Sequence, residues 1–394
     1  MKNLIVVVII IIFFSIFAVL NYYIGLRGWQ ALFKRIPGLP GWLYWLVFWV
    51  IALSYLAARF GQPFLPSWFS ERLTLVGAFW LAAMFYFILI LILVDIVRML
   101  DRLLNFIPTG FKTNPIVVPS MGILVLTVVV AIIAYGYWNA RNPRITHYDL
   151  TISKEAGSLD KLHAVMVSDL HFCTIIHNGR LTQMTDMIKA LNPDIVLFAG
   201  DVIDENVAVV AEKQMEESFR QLKPKFGTYA VLGNHEYIGG HAEEIIKYLK
   251  AAGVKVLRDG YAKVGDAFYI IGRDDRSGQR FTGDSRLRLS ELMEGINKSL
   301  PVILLDHQPT NLEESHQNGV DLQLSGHTHR GQLFPNQWIT ELIYEVDWGQ
   351  LRKGNLQVIV SSGYGTWGPP IRVGNIPEIV DINIKFIEKS GNGV

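Results

Sequence analysis

The stretch "LSGHTHRGQ", Leu324–Gln332, sets two histidines one residue apart between glycines. Residues two apart share a face in an extended strand but diverge by roughly 200° on a helix. His327 and His329 are therefore expected to reach a common target from an extended segment. Just upstream, "DLQLSG" reads as a short buried strand that ends in a glycine turn. A strand end opening into a loop is a usual place for active-site residues in α/β domains. Alone, H-x-H is equally well explained by a pair of surface loop histidines.

The surrounding sequence repeats the arrangement. "HAVMVSDLH", "DIVLFAGD", "GTYAVLGNHE", "PVILLDHQP" and "DLQLSGHTH" read as strands, and "RLTQMTDMIKAL", "AEKQMEESFRQL" and "HAEEIIKYLKAAG" as helices. That alternation predicts an α/β domain with its sheet inside. The strands end in Asp169-Leu170-His171, Gly200-Asp201-Val202-Ile203-Asp204, Gly233-Asn234-His235-Glu236, Asp306-His307 and Gly326-His327-Thr328-His329. Five of the ten histidines lie in these strand ends, whereas His147, His163, His177, His241 and His316 match none and read as surface residues. Carboxylates, neutral imidazoles and an Asn carbonyl suit divalent Mn, Fe or Zn. So many ligand types exceed the needs of one cation and predict two, bridged by a carboxylate.

The ordered set D-x-H, G-D-x-x-D, G-N-H-E, isolated His and G-H-T-H resembles that of the calcineurin-like metallophosphoesterases, over roughly residues 160–385. The resemblance implies a four-layer α-β-β-α sandwich with a dimetal site at the strand ends. It implies Asp169, His171 and His329 on one metal, Asn234, His307 and His327 on the other, and Asp201 bridging. It also places His235 beside the scissile phosphate with Asp204 orienting it, as catalytic residues. The implied reaction is attack of a metal-bridging hydroxide on a phosphodiester or pyrophosphate, with His235 steadying or protonating the leaving oxygen. "GHTHRGQ" and "GYGTWGPPIRVGNIPEI" look like a subgroup that contains membrane-associated bacterial phosphodiesterases and a UDP-2,3-diacylglucosamine pyrophosphatase. Arg372 reads as a partner in a structural salt bridge or, alternatively, as a contact to a substrate phosphate.

The front of the chain is of another kind. A hydrophobic content of 51% and a mean hydropathy of +0.28 are too apolar for an ordinary soluble protein. Uncharged apolar stretches run from Asn3 to Leu26, Ile36 to Ala58, Leu73 to Val94 and Thr113 to Ala140. Each is long enough to cross a hydrocarbon core of about 30 Å as a helix. Tyr22, Tyr23, Trp29, Trp42, Trp68 and Trp138 stand near their ends, as interfacial belts require. The first stretch reads as an anchor rather than a cleaved signal, being longer than a signal core and lacking an A-x-A-like site. Asp95 reads as an interfacial helix end.

The expected organisation is a four-helix transmembrane region over 1–140, a connector with the first strand over 141–159, and the phosphoesterase domain over 160–394. Residues 1–140 carry nine Lys+Arg against three Asp+Glu, a balance of +6, which leaves −5 for residues 141–394. An acidic domain without basic clusters gives no reason to expect a nucleic-acid partner. The single cysteine, Cys173, excludes an intramolecular disulfide. The expected setting is a multi-pass protein of a bacterial cell membrane acting on a phosphoester, with membrane lipid and a lipid-linked substrate as partners. Five basic residues flank the spans on one side against six on the other, a slight lean to an extracytoplasmic catalytic domain. A sensor or transporter accessory whose domain only binds, or acts on a soluble phosphoester, is the alternative; the complete motif set argues against it.

Overall fold

The computed structural model describes residues 2–173, 178–204, 216–283 and 285–387. It comprises two compact units, Met1–Tyr137 with Gly368–Pro370, and Trp138–Trp367 with Ile371–Val394.

The first unit is helical. Helices α1 (Lys2–Ala31), α2 (Gly41–Gly61), α3 (Ser67–Leu104) and α4 (Val117–Ala140) are each long and apolar enough to cross a membrane. Pro40 and Pro66 occupy the N-caps of α2 and α3, where a missing N–H breaks no helical bond. Ala52, Ala78 and Ala82 are buried, and a Cβ on Gly77 would fall 2.3 Å from the Tyr55 backbone nitrogen. Small residues of this kind let helix backbones approach closely where lipid removes the hydrophobic drive between helices. Asp95 is not a helix end: α3 continues past it to Leu104, and its carboxylate accepts from Tyr23 Oη at 2.7 Å and Arg27 Nη2 at 2.5 Å. A charge inside an apolar helix is tolerated here because α1 supplies its counter-charge.

The second unit holds two six-stranded sheets. One has the order β1-β12-β2-β3-β4-β5, with β1 Arg144–Ile152, β2 Lys161–Val167, β3 Ile195–Ala199, β4 Thr228–Val231, β5 Val254–Val256 and β12 Glu378–Phe386. The other has the order β10-β11-β9-β8-β7-β6, with β6 Gly260–Val264, β7 Phe268–Gly272, β8 Val302–Leu305, β9 Leu322–Ser325, β10 Gly349–Lys353 and β11 Leu356–Val360. Strands β2 to β5 run parallel, as do β7, β8, β9 and β11. Alternation along each strand explains the layering. Ile195, Leu197 and Ala199 join Ile303, Leu305, Leu322 and Leu324 between the sheets, while Val196 and Phe198 face the opposite way.

Helices cover the outer faces. Helix α5 (Asn178–Leu191) places Leu181, Met184 and Ile188 at helical spacing on Val165, Val167 and Phe198. Helices α6 (Asn234–Ile238) and α7 (Ala242–Ala251) follow β4, with Ile245 and Leu249 of α7 in the same cluster. On the other sheet, Leu289, Leu292 and Leu312, the last from α8 (Leu312–Asn318), pack on Leu304 and Val358. Four layers, α-β-β-α, result.

Several expected strands are shorter than the apolar runs suggested. "HAVMVSDLH" is extended only to Val167, and "GTYAVLGNHE" to Val231, after which Asn234–Ile238 turns helical. Of the expected helix over 211–222, Glu216–Arg220 is helical and residues 211–215 lie outside the described residues.

Candidate metal centre

The strand ends of β2, β3, β4, β8 and β9 meet, and they carry all nine residues singled out above. Two clusters form, Asp169–His171–His329 and Asp201–His307–His327, with ligand-type atoms in each within 4.8 Å of one another; His171, Asp204 and His235 form a third such group. Asp201 lies between the first two. Its Oδ2 is 3.1 Å from His307 Nε2 and 3.8 Å from His171 Nε2, while its Oδ1 accepts the His235 N–H at 2.9 Å. Asn234 Oδ1 is 2.9 Å from His327 Nδ1.

One expectation about the opening stretch is wrong. Gly326–Gln332 is not extended: His327 and His329 have φ of +72° and +48°, and His329–Gly331 forms a 3-10 turn. The turn sends the two imidazoles to different clusters rather than to one target. Positive φ recurs throughout the site, at Asp169, His171 and Asp201 as well. These left-handed conformations let each strand end reverse sharply, so that backbone and side chain of one motif face the next. The motif glycines permit the close approach. A Cβ on Gly233 would lie 2.1 Å from Asp201 Oδ1, and one on Gly326 would lie 2.2 Å from Asp169 Oδ2.

The donor set fits a pair of divalent cations. His307 Nδ1 bonds the Ala199 carbonyl at 2.7 Å, which fixes its proton there, while its buried Nε2 makes no hydrogen bond. His171 Nε2 and His329 Nε2 stand 2.9 Å apart, and His329 Nε2 is 3.4 Å from Asp169 Oδ1. Two imidazole nitrogens that close share either one proton or one cation, so loading a metal would expel a proton. Burial alone would raise the Asp201 carboxyl, but the charge of His307, then of His171 and His235, holds it well below the usual range. Burial and the neighbouring His171 ring keep His329 neutral, with its pKa well below the ordinary value. Burial lowers His327 likewise, whereas at His307 burial is outweighed by the Asp201 carboxylate, which holds the ring's pKa well above the ordinary value, so a cation loaded there would displace a proton.

His235 and Asp204 form a separate pair. His235 Nδ1 bonds Asp204 Oδ1 at 2.6 Å, leaving 4.0 Å between that oxygen and His171 Nδ1. Burial pulls the His235 pKa down, but the Asp204 hydrogen bond and the charge of Asp201 outweigh it and push the value up to about 9. The Trp367 ring lies 6.0 Å from that of His235.

Two residues take parts that the sequence reading did not assign. Glu236, quoted within G-N-H-E, is fully buried and accepts the backbone N–H groups of Asp201 (3.2 Å), Val202 (2.6 Å), Ile203 (3.0 Å) and Gly233 (2.7 Å). It binds the β3 turn to the β4 turn. Among the described residues Arg372 forms no salt bridge of the kind expected. It is wholly buried, donating to the Gly363 and Gly365 carbonyls, to Asn375 Oδ1 at 3.0 Å, and to His329 Nδ1 at 3.2 Å. Carbonyl dipoles satisfy the guanidinium, and burial lowers its pKa to about 10. Of the unmatched histidines, His147 and His163 are not merely surface residues: both bond Asp381, at 2.7 and 2.5 Å. His241 and His316 are partly exposed beside Glu244 and Glu313, and His177 lies outside the described residues.

Paired carboxylate–imidazole clusters at the carboxyl ends of a two-sheet sandwich could hold a pair of divalent cations. The sequence model for the calcineurin-like phosphoesterases matches residues 162–331. An uncharacterised metallophosphoesterase of Aquifex aeolicus is 32% identical over 255 residues, covering 64% of this chain and 95% of that protein. A zebrafish (Danio rerio) transmembrane protein with metallophosphoesterase domain is 31% identical over 274 residues, 66% of this chain and 62% of that one. A third relative, the uncharacterised metallophosphoesterase YkuE of Bacillus subtilis, is 29% identical, with 64% of this chain and 90% of that protein covered. The chain belongs to the calcineurin-like metallophosphoesterases, a family that generally uses two divalent metals, and it spans about 62% of the fish relative's length.

Two substitutions test the architecture. Gly326→Ala pushes the new methyl against Asp169, and the protein should stay folded by circular dichroism while its metal affinity falls by about 10-fold or more. Arg372→Lys keeps the charge but cannot span three carbonyl acceptors, so metal titration should show weakening on the order of 10- to 100-fold through misorientation of His329. Unchanged metal binding in both variants would show that neither group shapes the site.

Proposed function

We propose that the chain is a multi-pass, membrane-anchored dimetal phosphoesterase that hydrolyses a phosphodiester or pyrophosphate, with a lipid-linked substrate. In this reading residues 1–140 form the anchor, 141–159 the connector with β1, and 160–394 the catalytic domain. The observation that carries it is the placing of Asp201 between two histidine-rich clusters.

Asp169, His171 and His329 would hold one cation, Asn234, His307 and His327 the other, and Asp201 would bridge them. Two dications there would supply Lewis-acid charge for phosphoryl oxygens and lower the pKa of a water. The chain's own groups do the rest. Asp204 accepts the proton on His235 Nδ1, fixing the tautomer and orientation of a ring that can then give a proton to the leaving oxygen. Glu236, by fixing the Asp201 loop, keeps the bridge from moving as charge develops. Trp367 stands edge-on to the His235 ring. The excess of basic flanking residues on the side away from the catalytic domain, six against five, gives only a slight lean to an extracytoplasmic domain. The resemblance of "GHTHRGQ" to a subgroup with membrane-associated members supports a membrane-associated substrate but names no particular lipid.

Metal analysis and turnover of an activated diester, bis(p-nitrophenyl) phosphate, separate structure from chemistry. Asp201→Asn removes the bridging charge and should lower both metal content and rate, whereas His235→Ala should retain metal and lose on the order of 10² or more in rate. Equal metal loss in both variants would move His235 into the ligand set. The lipid reading predicts that full-length protein in liposomes turns over a lipid-linked diester with higher kcat/KM than a soluble diester carrying the same leaving group. A preference for the soluble substrate would reduce the helices to a tether.

A further inference from the structure

The segment that follows the His327–His329 turn ends in an amphipathic helix turned inside out. Helix α9 (Gln337–Ile343), QWITELI, carries Trp338, Ile339, Leu342 and Ile343 on one side and Gln337, Thr340 and Glu341 on the other. At 100° per residue the apolar four span an arc of roughly 140°. In a helix that faces water, that arc packs inward. Here Gln337 is buried and Thr340 donates to Asp347 at 2.6 Å, while Trp338, Ile339, Leu342 and Ile343 are 59%, 56%, 88% and 66% exposed.

Two further exposed aromatic residues, Phe334 and Trp367, lie outside the helix, and the second flanks the site. Phe334 meets Trp338 edge-on at 5.2 Å, and Trp367 is held by Gln332 through two hydrogen bonds of 2.9 Å. Gln332 closes the same turn that carries His329, and Trp367 flanks His235. A cluster of exposed apolar side chains of this kind marks a contact.

The occupant is indicated by the chain that leads into this unit. Helix α4, of membrane-crossing composition, ends at Ala140, and β1 begins at Arg144. Asn139, in the last turn of α4, donates to the carbonyls of Arg372 (3.0 Å) and Asn375 (2.7 Å), in the chain that follows Trp367. The segment that follows Trp367 is thus tied by hydrogen bonds to the end of a helix of membrane-crossing composition. Tryptophan combined with aliphatic side chains is the composition of an interfacial element.

We propose that Phe334, Trp338, Ile339, Leu342, Ile343 and Trp367 insert into the headgroup–acyl boundary of a phospholipid bilayer and hold the His235 side of the metal centre at headgroup level. The proposal rests on the reading that the four helices span a membrane, and it explains how an amphiphilic phosphoester would reach the site without leaving the bilayer.

The test uses the full chain in phosphatidylcholine liposomes. Leu342→Cys in a Cys173→Ser background is labelled with an environment-sensitive fluorophore, and Glu243→Cys, on the exposed side of α7, serves as control. The label at 342 should be quenched by doxyl lipids and shielded from aqueous iodide, with the control showing the reverse. Iodide quenching at 342 equal to the control would overturn the proposal. So would shielding from both quenchers, which would mean a protein cover such as a second copy of this chain. Independently, Leu342→Ser with Ile343→Ser, in the native-cysteine protein, should leave turnover of bis(p-nitrophenyl) phosphate within about twofold while cutting turnover of a bilayer-embedded phosphodiester by about tenfold or more. Equal loss on both substrates would assign the helix a structural role. Absence of any turnover in the unmodified protein would count against the phosphoesterase reading alone, because quenching reports on the surface without it.

Discussion

The centre depends on one buried carboxylate. Asp201 has an oxygen fixed by the His235 N–H and another facing His307 and His171, in a space that a side chain on Gly233 would fill. A carboxylate out of water is costly unless every lone pair is used. Glu236 raises the difficulty, because it is a second carboxylate against the same loop; burial and the charge of Asp201 push its pKa up to about 7. What offsets two neighbouring acids is the ring of imidazoles and backbone N–H groups. Divalent cations would supply the same positive charge, and the types of these ligands suit them.

Much of this was legible from the sequence, for a physical reason. Strands buried on both faces must be short continuous apolar runs, and a run broken by Asp, His or Gly shows where the chain leaves the sheet. "DIVLFAGD" and "PVILLDHQP" announce both strand and site. Strands β5, β6, β7, β10, β11 and β12 went unread: β10 and β12 carry charge within the strand, Arg352 in one and Asp381 and Lys385 in the other, whereas β7 and β11 are apolar runs without a ligand motif at their ends. The local conformation of "GHTHRGQ" was misread because side-chain spacing was taken to imply extended chain. A left-handed turn can place alternate residues in two neighbouring clusters, and spacing alone does not distinguish the cases.

Arg372 shows a different limit. An arginine in a glycine-rich closing segment suggests phosphate or carboxylate, since those are its usual partners. Its carbonyl acceptors are invisible in sequence because every residue carries one. Only the fold brings Gly363 and Gly365 around the guanidinium, and it does so because β12 returns between β1 and β2, carrying the closing segment across the site.

Backbone strain indicates what holds the centre together. Asp169, His171, Asp201, His327 and His329 all take left-handed conformations, and although Asp and His tolerate this better than branched residues, such positions cost on the order of 1–3 kcal/mol each. Five of them rival the roughly 5–15 kcal/mol net stability of a typical domain. Metal ligation alone is a poor guarantor, since a site that needed its ions to fold would lose its shape whenever they dissociated. The offset instead comes from the scaffold: strands β2, β3, β8 and β9, buried on both faces, fix each turn at its root, and Glu236 and Arg372 fix the turns to one another. The expensive conformations are thus carried by the sandwich, which leaves the side chains of the centre poised for cations before any are bound.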